Sequence, residues 1–180
     1  MRPLQILWSN FLGDGPPALA IALDSSKDAL LAAPRPPRAP LLEPVASRFV
    51  IADGLLKGGF GLLLLVVLPL LGASWLATAT AAFLYEGIAK VLSMFPARRL
   101  HGRLRPNAWV FAATTTSVML QLGCVTLARL QQVMGLTPLR ATELAAVGLA
   151  LVTSFALGEV ILRVLRPRAL PSAQPTLVNT

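Results

Sequence analysis

Residues 4–20, LQILWSNFLGDGPPALA, constrain this chain more than any other stretch. The run is apolar enough to enter a lipid bilayer, yet it carries Asn10 and Asp14 four residues apart, followed at once by Gly15, Pro16 and Pro17. Positions i and i+4 share a helix face, so the two oxygen-bearing side chains point the same way. Both prolines lack an N–H donor and clash with the preceding turn, which predicts a helix broken near Asp14. An intramembrane carboxylate beside unwound backbone is a common way of building a cation site.

Composition agrees with a membrane setting. Of 180 residues, 55% are hydrophobic and 13% charged, against roughly 25% charged in a soluble domain. The net charge of +8 does not point to nucleic acid. Its basic residues lie between apolar runs, the layout of cytoplasmic membrane loops, and form no amphipathic basic stripe. Cys124 and His101 are each the single residue of their kind, which excludes an intramolecular disulfide and a Cys-rich metal site. His101 reads as a solvated loop residue. The first residues make a poor signal peptide, because Asn10, Asp14 and two prolines interrupt the apolar core. No Ser–His–Asp set, phosphate-binding glycine loop or metal-spaced histidines occur.

Five apolar segments predict an all-α fold, a polytopic membrane bundle of about five helices. The first covers residues 1–23. Residues 58–85 carry no charge and exceed the roughly 20 residues of one span, so they divide into two helices at a turn near Gly72, Ala73 and Ser74. The second helix then starts near Phe49, and the third runs from about Trp75 to Phe95. The fourth covers about 107–133 and the fifth about 142–165. Residues 24–48 form a Pro/Arg linker, 49–166 a four-helix bundle with a basic loop at 96–106, and 167–180 a polar tail expected to be disordered. Linker, loop and tail fall on one side and hold most of the Lys and Arg; the other side holds Arg2, Arg129 and Arg140. The positive-inside rule makes the rich side, and the C-terminus, cytoplasmic in a multi-pass cell-membrane protein. A chain starting outside with almost nothing before its first span is expected to be the C-terminal part of something larger.

These residues resemble the C-terminal membrane region of type II cation-transporting P-type ATPases, the calcium-pump-like branch. Gln5, Trp8, Asn10, Asp14, Gly15 and Pro17 match the pattern Q-x-x-W-x-N-x-x-T-D-G-x-P of that family's sixth transmembrane helix. The segment APRPPRAPL at 33–41 is similar to the basic, proline-rich loop that follows it, and the other four spans look like helices seven to ten. The resemblance implies that Asn10 and Asp14 are cation ligands and that Glu86 is an accessory carboxylate from the eighth helix. Two positions depart from it. Gly13 stands where the family usually has Thr, and Lys90 lies one turn after Glu86, which leaves Glu86 either an ion ligand or the partner of an i,i+4 pair that would neutralise it.

The resemblance also marks what these residues lack. No D-K-T-G-T phosphorylation sequence, no G-D-G-x-N-D hinge and no nucleotide-binding domain occur among them. ATP and magnesium would belong to those parts, and the chain itself is expected to hold no cofactor beyond the transported cation, calcium or another. It is expected to be a truncated or split pump fragment, inactive alone, whose partners are the lipid bilayer and a chain carrying the remaining domains. A non-catalytic, pump-derived scaffold or regulator is the alternative. Elsewhere, Asp53–Lys57 and Glu159–Arg163 read as structural i,i+4 pairs. Ser117 and Gln121 read as hydrogen bonds to neighbouring helices, and Trp8, Trp75 and Trp109 as headgroup anchors. Gly54, Gly58 and Gly61, with Gly87 and Ala89, read as sites of close helix approach.

Overall fold

The computed structural model describes residues 3–22, 44–100 and 107–165. Seven helices make it up: α1 (Pro3–Ala22), α2 (Pro44–Leu70), α3 (Trp75–Leu92), α4 (Met94–Leu100), α5 (Ala108–Thr126), α6 (Ala128–Met134) and α7 (Ala141–Leu165). The described residues contain no strand, so the all-α expectation holds. Three of these helices, α2, α5 and α7, are long and apolar enough to cross a membrane. Exposed leucines, valines and isoleucines cover the outer faces of α2 and α7, such as Leu55, Leu62, Val66, Leu149, Val152 and Val160. In water that surface would be costly; in lipid it is the solvated one.

Helix α3 is the hub. It packs against α1, α2, α5 and α7, and Ala81, Phe83, Leu84 and Tyr85 at its centre are almost completely buried. Past its first turn it exposes only Ala79, Glu86 and Lys90. Small residues permit the crossings. A Cβ on Gly87 would collide with the Gln121 amide of α5, which donates to the Phe83 carbonyl at 3.0 Å. Gly54 and Gly58 face open space instead, so they are not the close-approach points the sequence predicts.

The helix ends follow from local chemistry. The α2–α3 turn falls where the uncharged run demanded one. Gly72 adopts φ +82°, while Ala73 N–H donates to Leu68 and Gly72 N–H to Pro69, both at 3.0 Å. This is the Schellman pattern, which needs a left-handed residue that glycine supplies without strain. Ser74 Oγ then accepts from Ala77 N–H at 3.1 Å and caps α3. At the start of α7, Glu143 Oε2 accepts from Arg140 N–H at 2.7 Å, so this buried carboxylate closes the helix end.

Several boundaries differ from the sequence reading. The expected fourth span is interrupted at Leu127, whose backbone is extended (φ −86°, ψ 118°). The break frees the Val125 carbonyl, and the Gln131 side-chain amide donates to it at 2.6 Å. The basic loop at 96–106 begins as α4, and its remaining residues, 101–106, lie outside the described ones. The linker's last residues, 44–48, are the first turn of α2; residues 24–43 and the tail at 167–180 fall outside the described residues.

Among the predicted pairs, Asp53–Lys57 forms at 2.6 Å. Both side chains are largely buried between α2, α3 and α7 rather than reaching the interface. Lys57 also donates to Ser93 Oγ, and Gly158 leaves room for Asp53 Oδ1, which stands 2.8 Å from where a Cβ would sit. Glu159 pairs with Arg99 of α4, not with Arg163, so this ion pair ties two helices together instead of bracing one. Trp75 and Trp109 are exposed at helix starts, as anchors should be, but Trp8 is packed against the core. Lys57→Met is expected to cost about 3–5 kcal/mol by stranding a buried carboxylate, whereas Asp53→Val with Lys57→Met should come close to wild type. Equilibrium unfolding in micelles measures both.

Candidate cation site

The opening stretch forms one continuous helix, α1, from Pro3 to Ala22, with Pro16 and Pro17 inside it. The predicted break near Asp14 is absent, and the reason lies on α5. Proline at 16 has no N–H for the Leu12 carbonyl, its i−4 partner. The Ser117 hydroxyl donates to that carbonyl across the interface, at 3.3 Å, in a buried setting. Transmembrane helices tolerate proline when a neighbouring side chain satisfies the freed group. Unwound carbonyls are therefore not the ligands offered here.

The motif divides between two faces of α1. Gln5, Leu12, Gly13, Pro17 and Ala20 turn inward toward α3 and α5. Gln5 donates to the Met134 carbonyl at 3.0 Å, tying α1 to the end of α6. Asn10 and Asp14 lie on the exposed side, one turn apart as predicted, and meet Lys90 of α3. Lys90 Nζ is 3.0 Å from both Asp14 carboxylate oxygens and 3.4 Å from Asn10 Oδ1. Three polar groups, one negative and one positive, thus form a neutral cluster on the exposed side of α1 and α3.

Gly13 makes this geometry possible. A Cβ there would lie 2.5 Å from Lys90 Cδ and 3.0 Å from Cε. The lysine stem runs over the bare glycine on its way to Asp14. Gly13 and Lys90, noted in the sequence as separate departures, are two halves of one contact.

Glu86 is placed elsewhere. It faces α2, with Oε1 3.7 Å from the position a Gly61 Cβ would take. It opens on a cavity of about 190 Å3 lined by Gly58, Gly61, Leu62, Leu65, Ala79 and Ala82. No hydrogen bond or ion pair joins it to Asn10, Asp14 or Lys90 among the described residues. The Glu86–Lys90 pair expected from spacing is therefore replaced by Asp14–Lys90. No group of three or more His, Cys, Asp or Glu side chains capable of holding a metal occurs among the described residues.

Sequence reasoning missed Lys90 as the partner of Asp14; the bond of Ser117 to a neighbouring helix is found as expected, with the Leu12 carbonyl as its acceptor. For Lys90 a signal existed: a lysine on one helix coinciding with a lost side chain at Gly13 on another. For Ser117 only the acceptor was not legible, because nothing in the sequence pairs its hydroxyl with the carbonyl that Pro16 frees.

These arrangements define a membrane-embedded helical bundle with a polar site on its outer face. The sequence matches the family of the cation-transporting ATPase C-terminus over residues 1–164, and the chain belongs to that family. It is therefore a C-terminal membrane domain of a cation-transporting ATPase. No curated protein matches the chain.

The Ser117–Leu12 bond should be coupled to Pro16. Ser117→Ala is expected to cost about 1 kcal/mol. In a Pro16→Ala background, where the helix regains its own donor, the cost should fall toward zero. A double-mutant cycle on micellar unfolding measures the difference.

Proposed function

We propose that this domain supplies part of the transmembrane cation site, and the scaffold around it, of an ATP-driven cation pump. One observation carries the reading: Asn10 and Asp14 present two oxygen-bearing side chains on the exposed face of α1, within the motif of a family whose members transport cations. Asp14 is the charged ligand and Asn10 the neutral one. Glu86 remains an accessory carboxylate, served by the cavity between α2 and α3 rather than by contact with Asp14. The site is one-sided. Asp14 is 66% exposed, and a carboxylate at membrane depth requires cover from protein. Helices outside these 180 residues would provide that cover and the remaining ligands.

The phosphorylated aspartate and the nucleotide site are likewise not encoded here. The domain acts only together with them, and alone it hydrolyses no ATP. The distribution of Lys and Arg supports a multi-pass cell-membrane topology with the α3–α5 connection and the C-terminus on the cytoplasmic side. A second reading, a non-catalytic membrane scaffold or regulator derived from a pump, draws on the Lys90 ammonium, which already neutralises Asp14.

Co-expression with a chain carrying the phosphorylation and nucleotide-binding domains separates the two. A pump subunit gives cation-dependent phosphoenzyme that falls at least about tenfold in Asp14→Asn, equivalent to about 1.4 kcal/mol or more of lost ion binding. A scaffold gives phosphoenzyme indifferent to Asp14. Phosphoenzyme formed by the 180-residue chain alone would overturn both.

A further inference from the structure

We propose that Lys90 is a tethered cation of the Asn10–Asp14 pair, occupying the position a free metal ion would take and holding the site closed to it. The inference rests on the reading of Asn10 and Asp14 as cation-site oxygens and adds the group that controls them.

Three observations converge. The ammonium is equidistant, at 3.0 Å, from both oxygens of Asp14 and also reaches the Asn10 carbonyl oxygen. It therefore engages every side-chain oxygen that these two residues offer. Lys90 belongs to α3, the most deeply packed helix, so its Cα is held in place, while its side chain is 41% exposed. Gly13 supplies the clearance, since any side chain there would push the stem aside.

Charge completes the argument. With Lys90 in place the cluster is neutral. Adding a free cation to it would leave a net positive charge at membrane depth, which is unfavourable. Entry of an ion thus requires the ammonium to leave. The groups that face Lys90 from the packed helices, Asp14 and Asn10, would then exchange one cation for another with no change in charge, if the ion is monovalent. Glu86, on the same exposed strip of α3, is the next carboxylate along the helix for a displaced ammonium to find. By this count the Asn10–Asp14 pair favours a monovalent over a divalent ion in place of the ammonium.

The test uses the full chain in lipid nanodiscs, with equilibrium binding of radiolabelled rubidium and calcium. Wild type should show no saturable binding that depends on Asp14. Lys90→Met should gain binding by about tenfold or more, and Gly13→Thr, which displaces the stem but keeps the charge, should gain in the same direction. Adding Asp14→Asn to either should abolish the gain. Independently, Asp14→Lys and Lys90→Asp should each lower the unfolding temperature, and the charge-swapped double variant should recover it. Asp14-dependent binding as tight in wild type as in Lys90→Met would overturn the proposal, and so would a charge swap that recovers nothing. Recovery in the swap with no binding in any variant would keep Lys90 as the counter-cation of Asp14 and sink the cation-site reading instead.

Discussion

A backbone carbonyl in hydrocarbon has no water to bond, and this constraint shapes the interior of the bundle. Several irregularities in the helices are met by side chains. Pro16 frees the Leu12 carbonyl and Ser117 takes it. The interruption at Leu127 frees Val125 and Gln131 takes it. Gln5 satisfies Met134 at the end of α6, and the Thr80 hydroxyl accepts from Thr137 N–H at 3.2 Å where the chain turns toward α7. The buried polar residues are thus mostly backbone partners, and Gln5, Ser117 and Gln131 sit where the helical ladder fails. Their bonds decide where helices are allowed to break, and so how the packed faces meet.

The charged residues obey the same logic with higher stakes. An unpaired charge at depth is expensive, and each ion pair described here joins residues on elements that meet. Asp53–Lys57 lies on α2 and reaches Ser93 beyond the end of α3. Arg99–Glu159 links α4 to α7. Asp14–Lys90 links α1 to α3. The first is largely buried and structural. The last is exposed on both sides, on a face that nothing among the described residues covers. Its exposure is what separates a site from a staple: Lys90 can be moved without unpacking the core, and Lys57 cannot.

Much of this was readable from the residues. Apolar run lengths located the five long helices, and the uncharged stretch at 58–85 demanded the turn that Gly72 makes. The i,i+4 spacing put Asn10 and Asp14 on one face, and the motif around them gave the family. Local rules failed where a tertiary contact outranked them. Two adjacent prolines argue for a break, but the argument counts only donors on the same helix and misses Ser117. Spacing pairs Lys90 with Glu86, and Glu159 with Arg163, because spacing sees one helix at a time. The structure pairs Lys90 and Glu159 across helices, where the opposing charge is better placed. Leu127 carries no breaker signal, and the bond of Gln131 to the Val125 carbonyl that its interruption frees needs the fold to be seen.

Gly13 and Lys90 bear on which of the two functional readings the fold favours. A side chain at position 13 would exclude the lysine stem, and glycine admits it. Lys90 then reaches both carboxylate oxygens of Asp14 and the amide oxygen of Asn10, so the cluster is electrostatically balanced without a free ion. That balance serves a scaffold that no longer needs an ion to be stable in lipid. It serves a pump equally well, provided Lys90 swings out during the cycle and returns to discharge the ion. What distinguishes the two is the mobility of one side chain, held by a single exposed pair on an otherwise fixed helix.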